Sequence, residues 1–183
     1  ATDTDYETVI DLDDTTDLTS VDATEAFGGI DLTVDSLADG ATVDLQNVDD
    51  TEGDANDAVT VTFGADTGAD DVTFTGGAGE EDITITNGDL DDLSVNVGDG
   101  NDTVDLTGAS GDNIEIDGGA GDDTLTGSNS GDEISGGAGN DDITGGDGAD
   151  ILSGGDGTDT ITGGAGDDTL TGGAGDDKFV YTA

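Results

Sequence analysis

The chain contains no cysteine and no histidine. Without cysteine there is neither a disulfide framework nor a CxxC or CxxH metal site, and the redox compartment cannot be read from pairing. Without histidine as well, zinc chemistry and histidine-based catalysis are excluded. Basic residues are almost missing: Lys178 stands alone against 47 Asp and Glu, for a formal net charge of -46 over 183 residues. Internal salt bridges therefore cannot offset the carboxylate repulsion, and counter-ions are the remaining source of positive charge. Nucleic acid and anionic membranes would be repelled by this charge. No apolar run is long enough for a membrane span or a signal peptide. Methionine is absent too, as expected of an internal or processed piece of a longer protein whose address lies outside these residues.

Large apolar residues are scarce. Leu, Ile, Val and Phe make up about a fifth of the chain, a composition at the border of disorder. A solvated acidic tail or an acid-rich surface over an ordinary core would need no glycine register, so the order of the residues decides. From Gly118 the sequence runs GGAGDDTLT, GSNSGDEIS, GGAGNDDIT, GGDGADILS, GGDGTDTIT, GGAGDDTLT and GGAGDDKFV, seven nine-residue units ending at Val180. Each has Asp in sixth place: Asp123, Asp132, Asp141, Asp150, Asp159, Asp168 and Asp177. Each has a large apolar residue in eighth place: Leu125, Ile134, Ile143, Leu152, Ile161, Leu170 and Phe179.

Glycine accepts positive φ, so GGxGxD makes a tight turn whose carbonyls can face inward. The next three residues, such as Thr124-Leu125-Thr126, make a short strand with its middle side chain on one face. One unit cannot bury that side chain alone. Stacking as a parallel coil, two units per turn, buries the apolar column and pairs the strands. Like positions then recur every 18 residues, with Asp123, Asp141, Asp159 and Asp177 on one edge and Asp132, Asp150 and Asp168 on the other. Strands lie about 4.8 Å apart, so stacked carboxylates repel unless a divalent cation lies between them.

The coil extends upstream with longer turns. On the first edge Ile83, Val104 and Leu125 are 21 residues apart. On the second, Val72, Leu93 and Ile114 are 21 apart and Ile134 follows after 20. Two residues before each marker stands an acid: Glu81 and Asp102 on the first edge, Asp70, Asp91 and Asp112 on the second. Extra alternating residues (Phe74, Ile85, Val95, Leu106, Ile116) predict longer strands and a wider interior there. Val97-Gly98-Asp99-Gly100-Asn101-Asp102 is close to the full turn pattern, whereas the turns leading to Asp91 and Asp112, and Gly127-Ser128-Asn129-Ser130, depart from it. This divides the chain into a β-rich segment 1–58, wider coils over 59–117 and regular units over 118–180. In the first segment Ile30–Val34 and Val43-Asp44-Leu45 read as strands, with a turn at Ala38-Asp39-Gly40; whether they continue the coil or form a small sheet stays open. Tyr6 and Tyr181 read as packing residues near the chain ends.

The GGxGxDxUx units resemble the RTX family of type I secreted proteins. That resemblance implies an all-β fold, a right-handed parallel β-roll or β-solenoid holding several Ca2+ ions in its glycine-rich turns. Carried over by position, it implies Asp123, Asp132, Asp141, Asp150, Asp159, Asp168, Asp177 and Asp102 as metal ligands, with backbone carbonyls completing each shell and Glu81 and Asp112 as weaker candidates. The passages Leu18–Ala23 and Phe27–Val34 resemble stretches before such repeats in Gram-negative S-layer proteins.

Calcium modules outside cells bind with dissociation constants of about 0.1 to 1 mM, so the chain is expected to stay open where calcium is scarce and to condense where it is plentiful. The leading expectation is an extracellular structural module of a secreted or surface-layer protein, with no catalytic centre. Its partners are calcium ions and further copies of itself in a lattice or filament, with no nucleic acid and no membrane insertion. The alternative is a calcium-triggered export and folding module of a larger exoenzyme or adhesin.

Overall fold

The computed structural model describes Thr8–Asp11, Leu18–Asp22, Ile30–Val34, Leu37–Asp44, Val59–Phe63, and residues 69–85 and 88–181. Among these residues the regular structure is all strand, and every strand pair is parallel. Consecutive strands fall alternately into two long sheets, which makes the chain a β-solenoid. The first sheet stacks Thr8–Asp11, Ile30–Val34, Val59–Phe63, Glu81–Ile85, Thr103–Asp105, Thr124–Thr126, Asp142–Asp147, Thr160–Ala165 and Lys178–Val180. The second stacks Leu18–Asp22, Leu37–Asp44, Thr73–Thr75, Ser94–Asn96, Ile114–Ala120, Asp132–Ala138, Ile151–Asp156 and Thr169–Ala174.

The strands before residue 58 thus join the same two sheets, which closes the question of a separate small sheet. Thr8–Asp11 pairs with Ile30–Val34, and Leu37–Asp44 pairs with Thr73–Thr75. The expected turn at Ala38-Asp39-Gly40 lies inside a strand instead. Leu37 pairs with Leu18 but Thr42 with Ser20, so the extra residues are absorbed as an irregularity in the ladder. Leu45, Tyr6 and the Phe27-Gly28-Gly29 part of the S-layer-like passage lie outside the described residues.

A third, short sheet was not foreseen. Ala69–Asp70, Gly88–Asp91 and Ala109–Ser110 pair with one another and add a third side to the upstream coils. Its corners use the left-handed residues Asp71, Asp92 and Asn113 (φ 60°, 55° and 61°), conformations that Asp and Asn tolerate better than most side chains. The 21-residue coil is therefore three-sided. The three residues dropped after Leu125 remove that side, and the coil becomes a two-sided roll.

The interior follows directly. One apolar ladder runs Ile83, Val104, Leu125, Ile143, Ile161 and Phe179. The facing ladder runs Val43, Phe74, Val95, Ile116, Ile134, Leu152 and Leu170. Here the expected second-edge markers need correction: Ile134 stacks on Ile116, with Val95 and Phe74 behind it, whereas Ile114 sits opposite Asp132. Val72, Leu93 and Ile114 are also buried, because residues i and i+2 of a strand share a face. At the last coil the ladder lies open: Phe179 is partly exposed and Tyr181, expected to pack, is 83 % exposed.

Candidate metal centre

The first edge of the roll carries a continuous carboxylate ladder. Its members are Glu81, which opens a strand of the first sheet, and Asp102, Asp123, Asp141, Asp159 and Asp177, each placed just before one. The backbone N–H of each but the last donates to the carboxylate one coil further on: Glu81 to Asp102 Oδ1 (2.8 Å), Asp102 to Asp123 Oδ1 (2.9 Å), Asp123 to Asp141 Oδ1 (2.9 Å), Asp141 to Asp159 Oδ1 (3.0 Å) and Asp159 to Asp177 Oδ1 (3.2 Å). The second edge repeats the pattern from Asp132 to Asp150 Oδ1 (2.9 Å) and from Asp150 to Asp168 Oδ1 (3.2 Å). One oxygen of each acceptor is thereby fixed across the coil boundary.

The other oxygen is not. Glu81 Oε2 and the Oδ2 atoms of Asp102, Asp123, Asp141, Asp150 and Asp159 are buried and have no hydrogen-bond partner. A buried carboxylate oxygen without a donor or cation is strongly disfavoured. The unit's first glycine makes the room for it. At Gly136 a Cβ would run into Asp141 Oδ2 and the Gly154 carbonyl oxygen, and the same two groups, shifted along the chain, surround Gly118, Gly127, Gly145 and Gly154. A carboxylate oxygen and a backbone carbonyl oxygen thus gather at each of these turns. At the second and fourth places, Gly137 (φ 106°) and Gly139 (φ 144°) hold conformations that a side chain would strain. Gly98 (φ 99°) and Gly100 (φ 154°) repeat them in the turn before Asp102, where Val97 stands in place of the first glycine.

Burial sets the electrostatics. It pushes the Asp102 carboxyl up from 3.8 to about 6, against the hydrogen bond from the Glu81 amide. Burial also pushes Asp141 up to about 6, with the charges of Asp123 and Asp159 adding to the effect. Asp123 and Asp150 move upward for the same first cause. Glu81 goes furthest, to about 8, through burial and then the charge of Asp102. These acids lie where negative charge is unfavourable until positive charge is brought to them, and hard oxygen donors of this kind suit calcium. Among the described residues no three acids converge on one point, so carbonyl oxygens would have to supply much of any coordination shell.

The regular part of the chain has a known counterpart. Residues 117–152 and 153–181 match the family model of the RTX calcium-binding nonapeptide repeat (4 copies). This region is an array of RTX repeats. Such repeats bind Ca2+ ions in multiple turns, and the partnerless oxygens of Asp123, Asp141, Asp150 and Asp159 lie in turns of this region. No curated protein and no solved structure matches the chain.

The carboxylate ladder on the first edge continues upstream of the matched residues, to Asp102 and Glu81. On the second edge it does not: the places equivalent to Asp132 are filled by Ile114, Leu93 and Val72. Asp91 and Asp112 lie at the exposed corner of the third side instead, where the Asp112 N–H donates to Asp91 Oδ1 (2.8 Å). Asp112, expected as a weak ligand, is therefore outside both carboxylate ladders. Asp168 and Asp177 close the ladders at the open end and are less buried than the rest. The sequence reading missed an outer ladder in the fifth place of the first-edge units. The Asp122 N–H donates to Asn101 Oδ1 (2.8 Å), the Asn140 N–H to Asp122 Oδ1 (2.7 Å) and the Thr158 N–H to Asn140 Oδ1 (3.0 Å). Its signal was visible: Asn101, Asp122 and Asn140 can all accept, whereas of the matching second-edge places Gly131 and Ala149 cannot and only Asp167 can.

Proposed function

We propose that the chain is an extracellular structural module that folds and stiffens on binding calcium after export, as part of a secreted or surface-layer protein without catalytic activity of its own. The observation that carries this reading is the row of buried carboxylate oxygens without partners. In this reading Asp102, Asp123, Asp141, Asp159 and Asp177 hold cations along the first edge and Asp150 and Asp168 along the second, with Glu81 as a weaker terminal site. Bound calcium supplies the positive charge that the chain lacks. The protein's part is to fix one oxygen of each carboxylate through the amide of the preceding coil and to turn glycine carbonyls toward the other.

The dependence on calcium follows from magnitudes. At a hundredfold excess over the dissociation constant, each independent site adds about 2.7 kcal/mol. A handful of such sites matches the whole stability of an ordinary domain, about 5 to 15 kcal/mol. The exposed acidic faces also support calcium-bridged self-association in a surface lattice or filament. Circular dichroism during calcium titration tests the reading: β structure should grow as calcium reaches about 1 mM, with magnesium a poor substitute because it demands a tighter octahedral shell. An unchanged spectrum in calcium and in chelator would overturn it.

A further inference from the structure

The turn 127–132 differs from its neighbours in a way that bears on the calcium reading above, on which this inference rests. In the other buried turns of the regular array, Asp123, Asp141, Asp150 and Asp159 each leave Oδ2 without a partner. Asp132 does not. Its Oδ2 accepts the backbone N–H of Ser128 (2.7 Å), and the Ser128 hydroxyl lies 3.2 Å from Oδ2 and 3.0 Å from Oδ1. The hydroxyl is itself held in place, since the Ser130 N–H donates to Ser128 Oγ (3.1 Å). Ser128 is only 2 % exposed, so these bonds are made out of water's reach.

The backbone differs as well. Ser128 and Ser130 occupy the second and fourth places, where the complete turns have left-handed glycines such as Gly137 and Gly139, and neither serine has a positive φ. The backbone of this turn therefore follows a different path, although Asp132 Oδ2 and the Gly145 carbonyl oxygen still lie beside Gly127. A cation would meet a carboxylate that is already satisfied and a turn of a different path.

We propose that turn 127–132 takes no cation, and that Ser128 satisfies the Asp132 carboxylate in its place. The position gives this a consequence. The strand Asp132–Ala138 pairs with Ile114–Ala120, where the three-sided coils pass into the two-sided roll. This rung closes without calcium and offers a formed edge on which the calcium-dependent coils stack.

The test counts calcium bound per chain by equilibrium dialysis, on the full 183-residue protein and three variants. Asp150→Asn is expected to lose at least one ion, Asp132→Asn to lose none, and Ser128→Gly/Ser130→Gly to gain one. Equal losses in the two Asp variants would overturn the proposal. So would a glycine variant that folds in calcium, by circular dichroism, without a gain; if that variant fails to fold, the Asp pair decides alone. A wild-type chain that binds no calcium would overturn the proposed function and this inference together, and the wild-type count separates that failure from the narrower one.

Discussion

The coil that starts at Ile83 and the coil that starts at Ile143 do the same topological task with different means. The first spends 21 residues and buries Ile83, Ile85, Leu90, Leu93, Val95 and Val97; the second spends 18 and buries only Ile143 and Leu152. Four fewer buried aliphatic side chains correspond to about 6–12 kcal/mol less apolar stabilisation per coil. Dropping the third side narrows the coil and removes most of its core, while the carboxylate column continues without a break across the junction from Asp102 to Asp123. What holds the narrow coils must come from elsewhere, and their partnerless carboxylate oxygens show where positive charge is wanted. On the proposed reading, apolar burial holds the wide coils and bound cations hold the narrow ones.

The largest expected effect tests the wide side. Leu93→Ala removes a fully buried side chain and should cost about 2–5 kcal/mol in thermal or denaturant unfolding of residues 69–113, with or without calcium. A cost that vanished on removing calcium would break the distinction.

Next comes Asp141→Ala, in the middle of the first-edge column. In calcium it should cost about 2.7 kcal/mol, the contribution of one site at hundredfold excess, and shift the calcium midpoint of the circular dichroism transition upward. Without calcium the same change should be neutral or stabilising, because it removes a buried charge that nothing offsets. A loss of equal size in both conditions would contradict the assignment.

Acidity sharpens the comparison further. The folded-state pKa values of Asp102 and Asp141 lie at about 6 and that of Glu81 at about 8, all above their ordinary values, so the folded form binds protons that the unfolded form releases. Metal-free stability is therefore greatest near pH 4 and falls as pH rises through about 6, and again toward 8 for Glu81. Protons compete with cations for the same oxygens, so calcium affinity should run the other way and weaken below about pH 6. Melting temperatures in metal-free buffer at pH 4, 6 and 8 check the sign, and Glu81→Gln should remove the part between pH 6 and 8. The smallest effect is expected at the exposed corner: Asp91→Ala should change stability by less than about 0.5 kcal/mol and leave the calcium midpoint in place.

These regions also differ in how far the sequence exposed them. The first-edge ladder from Ile83 to Phe179 was readable outright, because a single inward residue marks each narrow strand and the first-edge acids keep step with it. The second edge was misread by two residues. Ile114 and Ile116 both face inward, so alternation alone could not say which one stacks on Ile134; the 18-residue step from Ile116 was the better guide. The third side escaped because its strands are two to four residues long and its corners use Asp and Asn in place of glycine. At Asp132 the acid was seen and its partner was not. Ser128 reads as a lost glycine until the fold brings its hydroxyl under the carboxylate.

Amide hydrogen exchange on the whole chain, compared in millimolar calcium and in chelator, measures the two kinds of coil side by side. Residues 69–113 should keep most of their protection without calcium, while residues 136–180 should lose theirs and regain it on adding the metal. Equal protection of the narrow coils in both conditions would contradict the account.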